Sequence, residues 1–486
     1  MQIIGRVGVT PNTSLIGAIV AMIIARIPLE IFSSFKNLER QNLLQTSVSS
    51  AGFSAANCAF LSFGIFYIMG ETRFLIPMAV GVFMGVVISI QVLGNIFDSS
   101  IFPAQEAWPP GVATSNTILA GDQGGEKGKR LIQGLLTGAF ASYLGLPAAG
   151  IGIVFIANIY SMVALGTGLF LRGYSTLIFS MDLGSTYIPH GIMIGAGIMA
   201  LIQSIMVITK KDNNNKKSFN LTVSASRTKI ILTRSILAYI ICSIVLALIT
   251  GVNQRMVMSK VILWIIWSTI SATSTMLLVG MAAMHSGWFP AFAITTIFMT
   301  IGIFLGFDAI SLAVLTGFIS SVGPCFADMG YDLKSGWILR GSGEDINREI
   351  HGRKQQVISE TIGALIGIGV ALLSMNIYFN HNIIPPVSKV FATTVQASAD
   401  TSLIGTLIIW AIPGLILQLI GGNTNMLGVL FATGLLIDNP IYGIGVLIAV
   451  IARIIFGNKF MEIRDAGLIA GDGLYGFFST LFQAIF

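Results

Sequence analysis

Charge is what this 486-residue chain has least of: Asp, Glu, Lys and Arg together make up 10% of it. Soluble domains carry about 25%, so too few charged side chains are present to clothe an ordinary water-exposed surface. Cysteine is equally scarce. Cys58, Cys242 and Cys325 stand far apart in apolar surroundings, and no disulfide or metal framework follows from them. The four histidines, His190, His285, His351 and His381, are too dispersed for haem pairing. No HExxH, GxSxG or phosphate-loop sequence occurs, so zinc-protease, serine-hydrolase and ATPase chemistry lack their residues. An aspartate-rich magnesium–diphosphate motif is missing as well. The chain therefore reads as a non-enzyme that carries no cofactor, and any active transport would run on an ion gradient. The net charge of +6 reflects loop lysines and arginines, not a nucleic-acid surface.

What the chain has instead is apolar length. Hydrophobic residues make up 54% of it, and the mean hydropathy is +0.84. Apolar runs recur throughout, as at Ser14–Ala25, Leu75–Ile90, Ile151–Leu171, Ile236–Ile249 and Ile441–Ala452. A bilayer-crossing helix needs about 20 mostly apolar residues. In lipid the backbone must satisfy its own hydrogen bonds, which leaves helices or closed barrels, and barrel strands alternate apolar with polar residues. These runs are continuous, so the predicted fold class is all-α: a polytopic membrane protein with about 15 membrane segments, some broken or re-entrant. The 54 glycines suit such a bundle, because small residues let membrane helices approach closely.

One strongly polar loop, Thr209–Lys229, holds Lys210, Lys211, Lys216, Lys217, Arg227 and Lys229. The positive-inside rule makes it cytoplasmic. It divides the chain into an N-terminal bundle, 1–208, the loop itself, 209–229, and a C-terminal bundle, 230–486. The charges of Gly341–Gln356 and Arg453–Arg464 are read as solvated and topology-setting. A loose internal echo supports two halves: Ser49–Val87 passes through Gly70-Glu71 into an Ala79-Val80 helix, as Ala282–Ser320 passes through Gly306-Phe307-Asp308 into Ala313-Val314. Repeated bundles around a midplane site are a common transporter plan.

Polar residues interrupt the apolar segments at four places, where such residues usually face a protein interior or a water-filled path. Asn42, Gln45, Thr46 and Ser50 recur at helical spacing on one face; a substrate-facing stripe and helix–helix hydrogen bonding are both open. In Trp108-Pro109-Pro110-Gly111-Val112-Ala113-Thr114-Ser115-Asn116, the prolines force a break. A helix starting near Pro110 would present free N–H groups and a positive dipole end; an ordinary surface loop is the alternative. Asp328 and Asp332, four apart with Lys334 beside them, share a helix face, ready either for protons or a cation or for an interfacial salt bridge. Asp472 stands among small and apolar residues in Gly467–Leu474. Asp182, near Tyr187, Pro189 and His190, is a weaker case. Glu360, Asp400 and Asp438 flank helices and are read as interfacial.

These motifs in order resemble the oligopeptide transporter (OPT) family, which includes yellow stripe-like metal-chelate transporters and bacterial members. The resemblance covers nearly the whole chain. It is carried by Asn42-Leu43-Leu44-Gln45-Thr46 with Ser50-Ala51-Gly52, by Trp108–Ala113 and Ala120–Gly125, by Ala327, Asp328, Asp332, Lys334 and Gly336, by Arg353–Gln356, and by Gly467–Leu474. It implies two related helical bundles of about 16 helices with the substrate site between them. It further implies proton-coupled uptake of small peptides or peptide-like metal chelates across a bacterial cytoplasmic membrane. The partners expected are that substrate, protons and the lipid bilayer, with no nucleic acid; a homo-oligomer is compatible. Carried over by position, the pathway residues are Gln45, Pro109, Gly111, Thr114, Asn116, Asp328, Asp332 and Asp472. The chain departs from the family at Pro110 and Asn116, where many relatives carry glutamate, and at Asp472, where a glutamate is usual. Met1–Pro11 resembles the segment after the family's first helix, so the chain is expected to start beyond it. A membrane-embedded enzyme acting on lipid or isoprenoid, and a passive channel, are the alternative readings.

Overall fold

The computed structural model describes residues 13–209, 221–287, 289–396 and 403–485, together with Met1 and Ile4. The basic cluster Lys210, Lys211, Lys216 and Lys217, most of Met1–Pro11, and Asp400 lie outside the described residues. Among those described, the secondary structure is entirely helical. Helices of eight or more residues are numbered here in chain order. The chain opens with α1 (Thr13–Arg26), α2 (Leu38–Phe53), α3 (Leu61–Ile68), α4 (Leu75–Ile96) and α5 (Pro109–Gln123). Next come α6 (Gly125–Tyr143), α7 (Ala148–Ile156), α8 (Ile159–Gly173) and α9 (Ile188–Thr209). Beyond the basic loop lie α10 (Ala225–Ile249), α11 (Met258–Ser286), α12 (Ala291–Phe304), α13 (Ala309–Leu339) and α14 (Ile346–Asn380). The last are α15 (Pro386–Gln396), α16 (Leu403–Asn425), α17 (Leu427–Leu436), α18 (Pro440–Phe456) and α19 (Arg464–Ile485).

Seven helical stretches among the described residues are long and apolar enough to cross a bilayer: Leu38–Ile68, Thr72–Ile96, Ala225–Ile249, Met258–Ser286, Ala309–Leu339, Ile346–Asn380 and Gly405–Gly422. Six more apolar helices are 10–17 residues long. The protein is thus a membrane-embedded helical protein, and the seven spanning stretches and six shorter apolar helices among the described residues do not confirm the expected 15 or so segments. Local capping explains why. The run Ile151–Leu171 is not one span, because Asn158 halts α7 and opens α8: its side chain accepts from Tyr160 N at 3.0 Å and Ser161 N at 3.3 Å. Outward faces carry exposed apolar side chains, such as Ile241 and Leu248 on α10, Leu373 and Ile377 on α14, and Ile454 on α18. This is how helices meet acyl chains.

Packing runs across the sequence midpoint. α6, α7, α8 and α9 lie chiefly against α16, α17, α18 and α19, whereas α2–α5 pack on α13, α2 and α4 also on α14, and α1 lies on α2 and α5. The 209–229 loop therefore separates the chain in sequence, while the interior is built jointly by helices from either side of it. At the centre is α13, 31 residues of which almost all are buried. Asp308 caps its start, accepting from Ile310 N and Ser311 N at 3.1 and 3.2 Å.

The internal echo has a local structural counterpart. Before α4, Gly70 (φ 73°) donates to Tyr67 O and Glu71 N to Phe66 O. Before α13, Gly306 (φ 76°) donates to Ile303 O and Phe307 N to Gly302 O. Both are the same left-handed helix stop, which a residue without Cβ adopts freely. The helices that follow, α4 and α13, pack side by side.

Candidate functional site: a buried carboxyl cluster

α13 and α14 cross where Asp328, Asp332 and Glu360 face one another. One carboxylate oxygen from each lies within 4.8 Å of the other two, and all three side chains are at most 1% exposed. Asp328 and Asp332 share a face of α13 because they are four residues apart. Glu360 reaches them from α14 as the last member of a buried line, Glu349, Arg353, Gln356 and Glu360, spaced by four, three and four residues.

The neutral walls of the cluster come from α1 and α2. Ser14 Oγ donates to Asp332 Oδ1 at 3.0 Å, and Gln45 Nε2 donates to the same oxygen at 2.6 Å. Ser49 Oγ donates to Asp328 Oδ1 at 2.8 Å and lies 3.0 Å from Ser14 Oγ. Gln45 is itself held in place: its Oε1 accepts from Asn42 Nδ2 at 3.0 Å and from Ser335 Oγ at 3.3 Å. Gly17 lets α1 close on α2, since a Cβ there would stand 2.7 Å from Gln45 O. Gln356 Nε2 donates to Asp332 O at 2.6 Å and Ser50 Oγ to Glu360 O at 2.7 Å, fastening α14 to the same centre. After these bonds, Asp328 Oδ2, Asp332 Oδ2 and both Glu360 oxygens receive no donor among the described residues.

Among the described residues, no cation answers the three acids there. Lys334, the neighbour expected to form a salt bridge with them, turns away instead: its Nζ donates to Ala104 O at 2.7 Å and sits 4.5 Å from the Trp337 ring centroid. The interfacial salt-bridge reading of Asp328 and Asp332 is therefore corrected. Arg340 and Arg353 are committed to Glu349, at 2.8 and 3.3 Å, with Arg340 also donating to Gln356 Oε1 at 2.8 Å. Arg353 was expected in the solvated, topology-setting segment Gly341–Gln356, but it is buried, as are Arg340 and Glu349. Arg353 further donates to Phe97 O at 2.7 Å and Thr222 Oγ1 at 3.1 Å. It thereby ties the start of α14 to the chain leaving the basic loop.

The proline break stands beside this centre. Trp108 adopts φ 39°, ψ 58° and α5 begins at Pro109, one residue before the expected start. Trp108 is fully buried, held by its N–H to Met284 O at 2.8 Å, and its ring lies on Gly330, where a Cβ would come within 2.0 Å of it. Gly111 lets α5 approach Tyr331 O and the Lys334 stem. The expected free N–H groups are absent among the described residues. The two prolines have none to offer, and Gly111 N and Val112 N both donate to Trp108 O, at 2.9 and 3.2 Å. Pro109, Gly111 and Thr114 are buried and Asn116 is half-buried; Thr114 Oγ1 is left without a partner among the described residues.

Asp472 lies elsewhere. From α19 it accepts hydrogen bonds from Ser142 Oγ, at the end of α6, and from Ala149 N at 3.2 Å, at the start of α7. It caps a neighbouring helix, as acids at N-termini do. Asp182 is exposed in a loop between α8 and α9, where the Gly184 N–H, helped by Arg172 2.5 Å away, holds its carboxyl below the usual value. Asp438 is exposed beside Arg172 at 3.8 Å.

Of the residues selected from sequence, Gln45, Asp328 and Asp332 meet at one point, Gly111 packs against the same helix, Pro109 lies against Gly287 at the end of α11, and Asp472 is apart. Glu360, expected at an interface, is instead the third acid of the cluster. Ser14 and Ser49 were not singled out, and Gln356 entered only as the end of the Arg353–Gln356 match. The four-three-four spacing from Glu349 to Glu360 was a visible signal of one helix face. Ser14 and Ser49 carried none, being small polar residues among many. No protein-family model matches the chain, and no curated protein matches it.

Proposed function

We propose that the protein is a secondary active transporter of the OPT type, moving small oligopeptides or peptide-like metal chelates with protons across a cytoplasmic membrane. The observation that carries this reading is the cluster of Asp328, Asp332 and Glu360, three carboxyls buried among membrane-spanning helices with no basic partner among the described residues. Ionisable groups inside a membrane segment are expensive and mark ion paths, and a merely structural helix contact has no need of three acids facing one another. The carboxyls form the ion site, and Gln45, Ser14 and Ser49 orient them. The break at Trp108–Asn116 lines the adjoining path, because irregular backbone at membrane depth is tolerated where it is buried in protein or borders a cavity. The two-bundle plan belongs to the same proposal, supported by the matching turns at Gly70 and Gly306. So does the orientation, with the start of α14 on the cytoplasmic side, which the Thr222–Arg353 contact and the positive-inside rule support.

The test is uptake of labelled di- to pentapeptides and of siderophore-like chelates into proteoliposomes under an imposed pH gradient. Accumulation above equilibrium that collapses with a protonophore is expected. Transport that requires ATP, or that ignores the pH gradient, overturns the coupling. Equilibration without accumulation would make the protein a passive path.

A further inference from the structure

Three oxygens that mutually approach within 4.8 Å enclose a point that all of them can reach. We propose that Asp328, Asp332 and Glu360 together bind a hard divalent metal cation, of the calcium or manganese(II) class, as the resident ion of this site. The inference rests on the transport reading only for its purpose, not for its chemistry.

Two acids on one helix face do not make a site, and the case turns on Glu360. It arrives from a different helix at 1% exposure, points into the Asp328–Asp332 pair, and neither of its oxygens meets a donor among the described residues. Ser14, Ser49 and Gln45 spend their hydrogens on Asp332 Oδ1 and Asp328 Oδ1. That arrangement orients the two aspartates while leaving Asp328 Oδ2 and Asp332 Oδ2 without a donor among the described residues, which is the work of an outer shell around a metal. Four carboxyl oxygens thus lie together with no donor from any other described residue, in a setting where an unpaired buried charge is costly.

Size and donor type select the ion. The set is carboxylate oxygen only, which suits hard cations and disfavours copper(I) or other soft ions. A point shared by three atoms up to 4.8 Å apart is at most about 2.8 Å from each, close to the 2.3–2.6 Å or so of calcium–oxygen contacts. Magnesium demands contacts of about 2.0–2.1 Å in near-ideal octahedral geometry, so the three carboxyls would have to draw further together around it. The cysteines do not enter: Cys325 directs its thiol to Val86 O at 3.7 Å.

The test uses the full chain purified in detergent or nanodiscs, titrated with manganese(II) alone at one fixed pH and followed by loss of the free-ion electron paramagnetic resonance signal. Saturable binding of one manganese per chain, released by added calcium, is expected. Loss of an outer-shell group typically weakens a metal about 10–100-fold. Glu360→Gln and Asp328→Asn, which remove ligands, are expected to weaken binding by about 100-fold or more, while Asp438→Asn binds as wild type. Absence of saturable binding by the wild-type chain overturns the proposal, and so does wild-type affinity in both ligand variants. If Glu360→Gln does not fold, the wild-type isotherm and Asp328→Asn decide. Lack of manganese binding with pH-driven uptake intact removes this inference and leaves the transport reading; binding without any uptake does the reverse.

Discussion

At the scale of single residues, the acids of this chain fall into distinct physical situations. Glu360 is buried with unmet oxygens, Asp472 is a cap that accepts from Ser142 and Ala149, and Asp438 is 63% exposed beside Arg172. Their neutral variants should therefore differ in kind. Glu360→Gln is expected to lower proteoliposome uptake about tenfold or more while the chain elutes as wild type and, in metal-free buffer, melts as wild type, since no donor is orphaned by the change. Asp472→Asn removes a charge from a helix N-terminus, a loss of about 0.3–1 kcal/mol. It should lower the melting temperature and uptake together, and both more than Asp438→Asn. Uptake and thermal shift measured on the three variants check this, and equal behaviour of Asp472→Asn and Asp438→Asn would remove any special role for Asp472. Gln45 was selected because it shares a face with Asn42 and Thr46, and its bond to Asp332 explains why that face is polar.

At the scale of elements, the cluster exists because α13 can be approached closely from several sides. Gly330 receives the Trp108 ring, and Gly111 brings α5 onto the Lys334 stem. Gly330→Ala puts a methyl group within 2.0 Å of a fully buried indole, and overpacking of this sort costs about 1–3 kcal/mol. Gly369 on α14 has nothing within 4 Å of its would-be Cβ, so Gly369→Ala should leave the melting temperature unchanged or raise it. Thermal-shift measurements of the two variants in the same detergent decide the point; equal effects would show that Trp108 does not wedge against α13. The break before α5 illustrates a limit of reading elements from sequence. Two prolines and a glycine announce a helix start, and one is found at Pro109. The unsatisfied N–H groups expected with it do not appear, because Trp108 turns left-handed and offers its carbonyl to Gly111 and Val112.

At the scale of the whole molecule, helices from the two sides of the basic loop interleave, and Arg353 fastens α14 to Thr222 within that loop. A cytoplasmic loop then requires the start of α14 to be cytoplasmic as well. Ser226, exposed two residues into α10, reports on this. Because the three native cysteines are buried, the thiol of Ser226→Cys should be the one that reacts with a membrane-impermeant maleimide. Labelling in inside-out vesicles and not in intact cells is expected, and the opposite pattern would invert the proposed orientation. The membrane-embedded, all-helical character was legible in the sequence, since apolar length and scarce charge follow from composition and from the need of backbone in lipid to bond internally. The polar faces of α2 and α13 were legible too, because helical spacing is a local property. The sequence did not determine how many apolar runs become full spans, which depends on caps such as Asn158. Nor did it distinguish Glu360 from Asp438 as a site residue. Burial, and the turning of Lys334 toward Ala104 and away from the aspartates, arise from contacts between residues hundreds of positions apart, and only the tertiary structure brings those together.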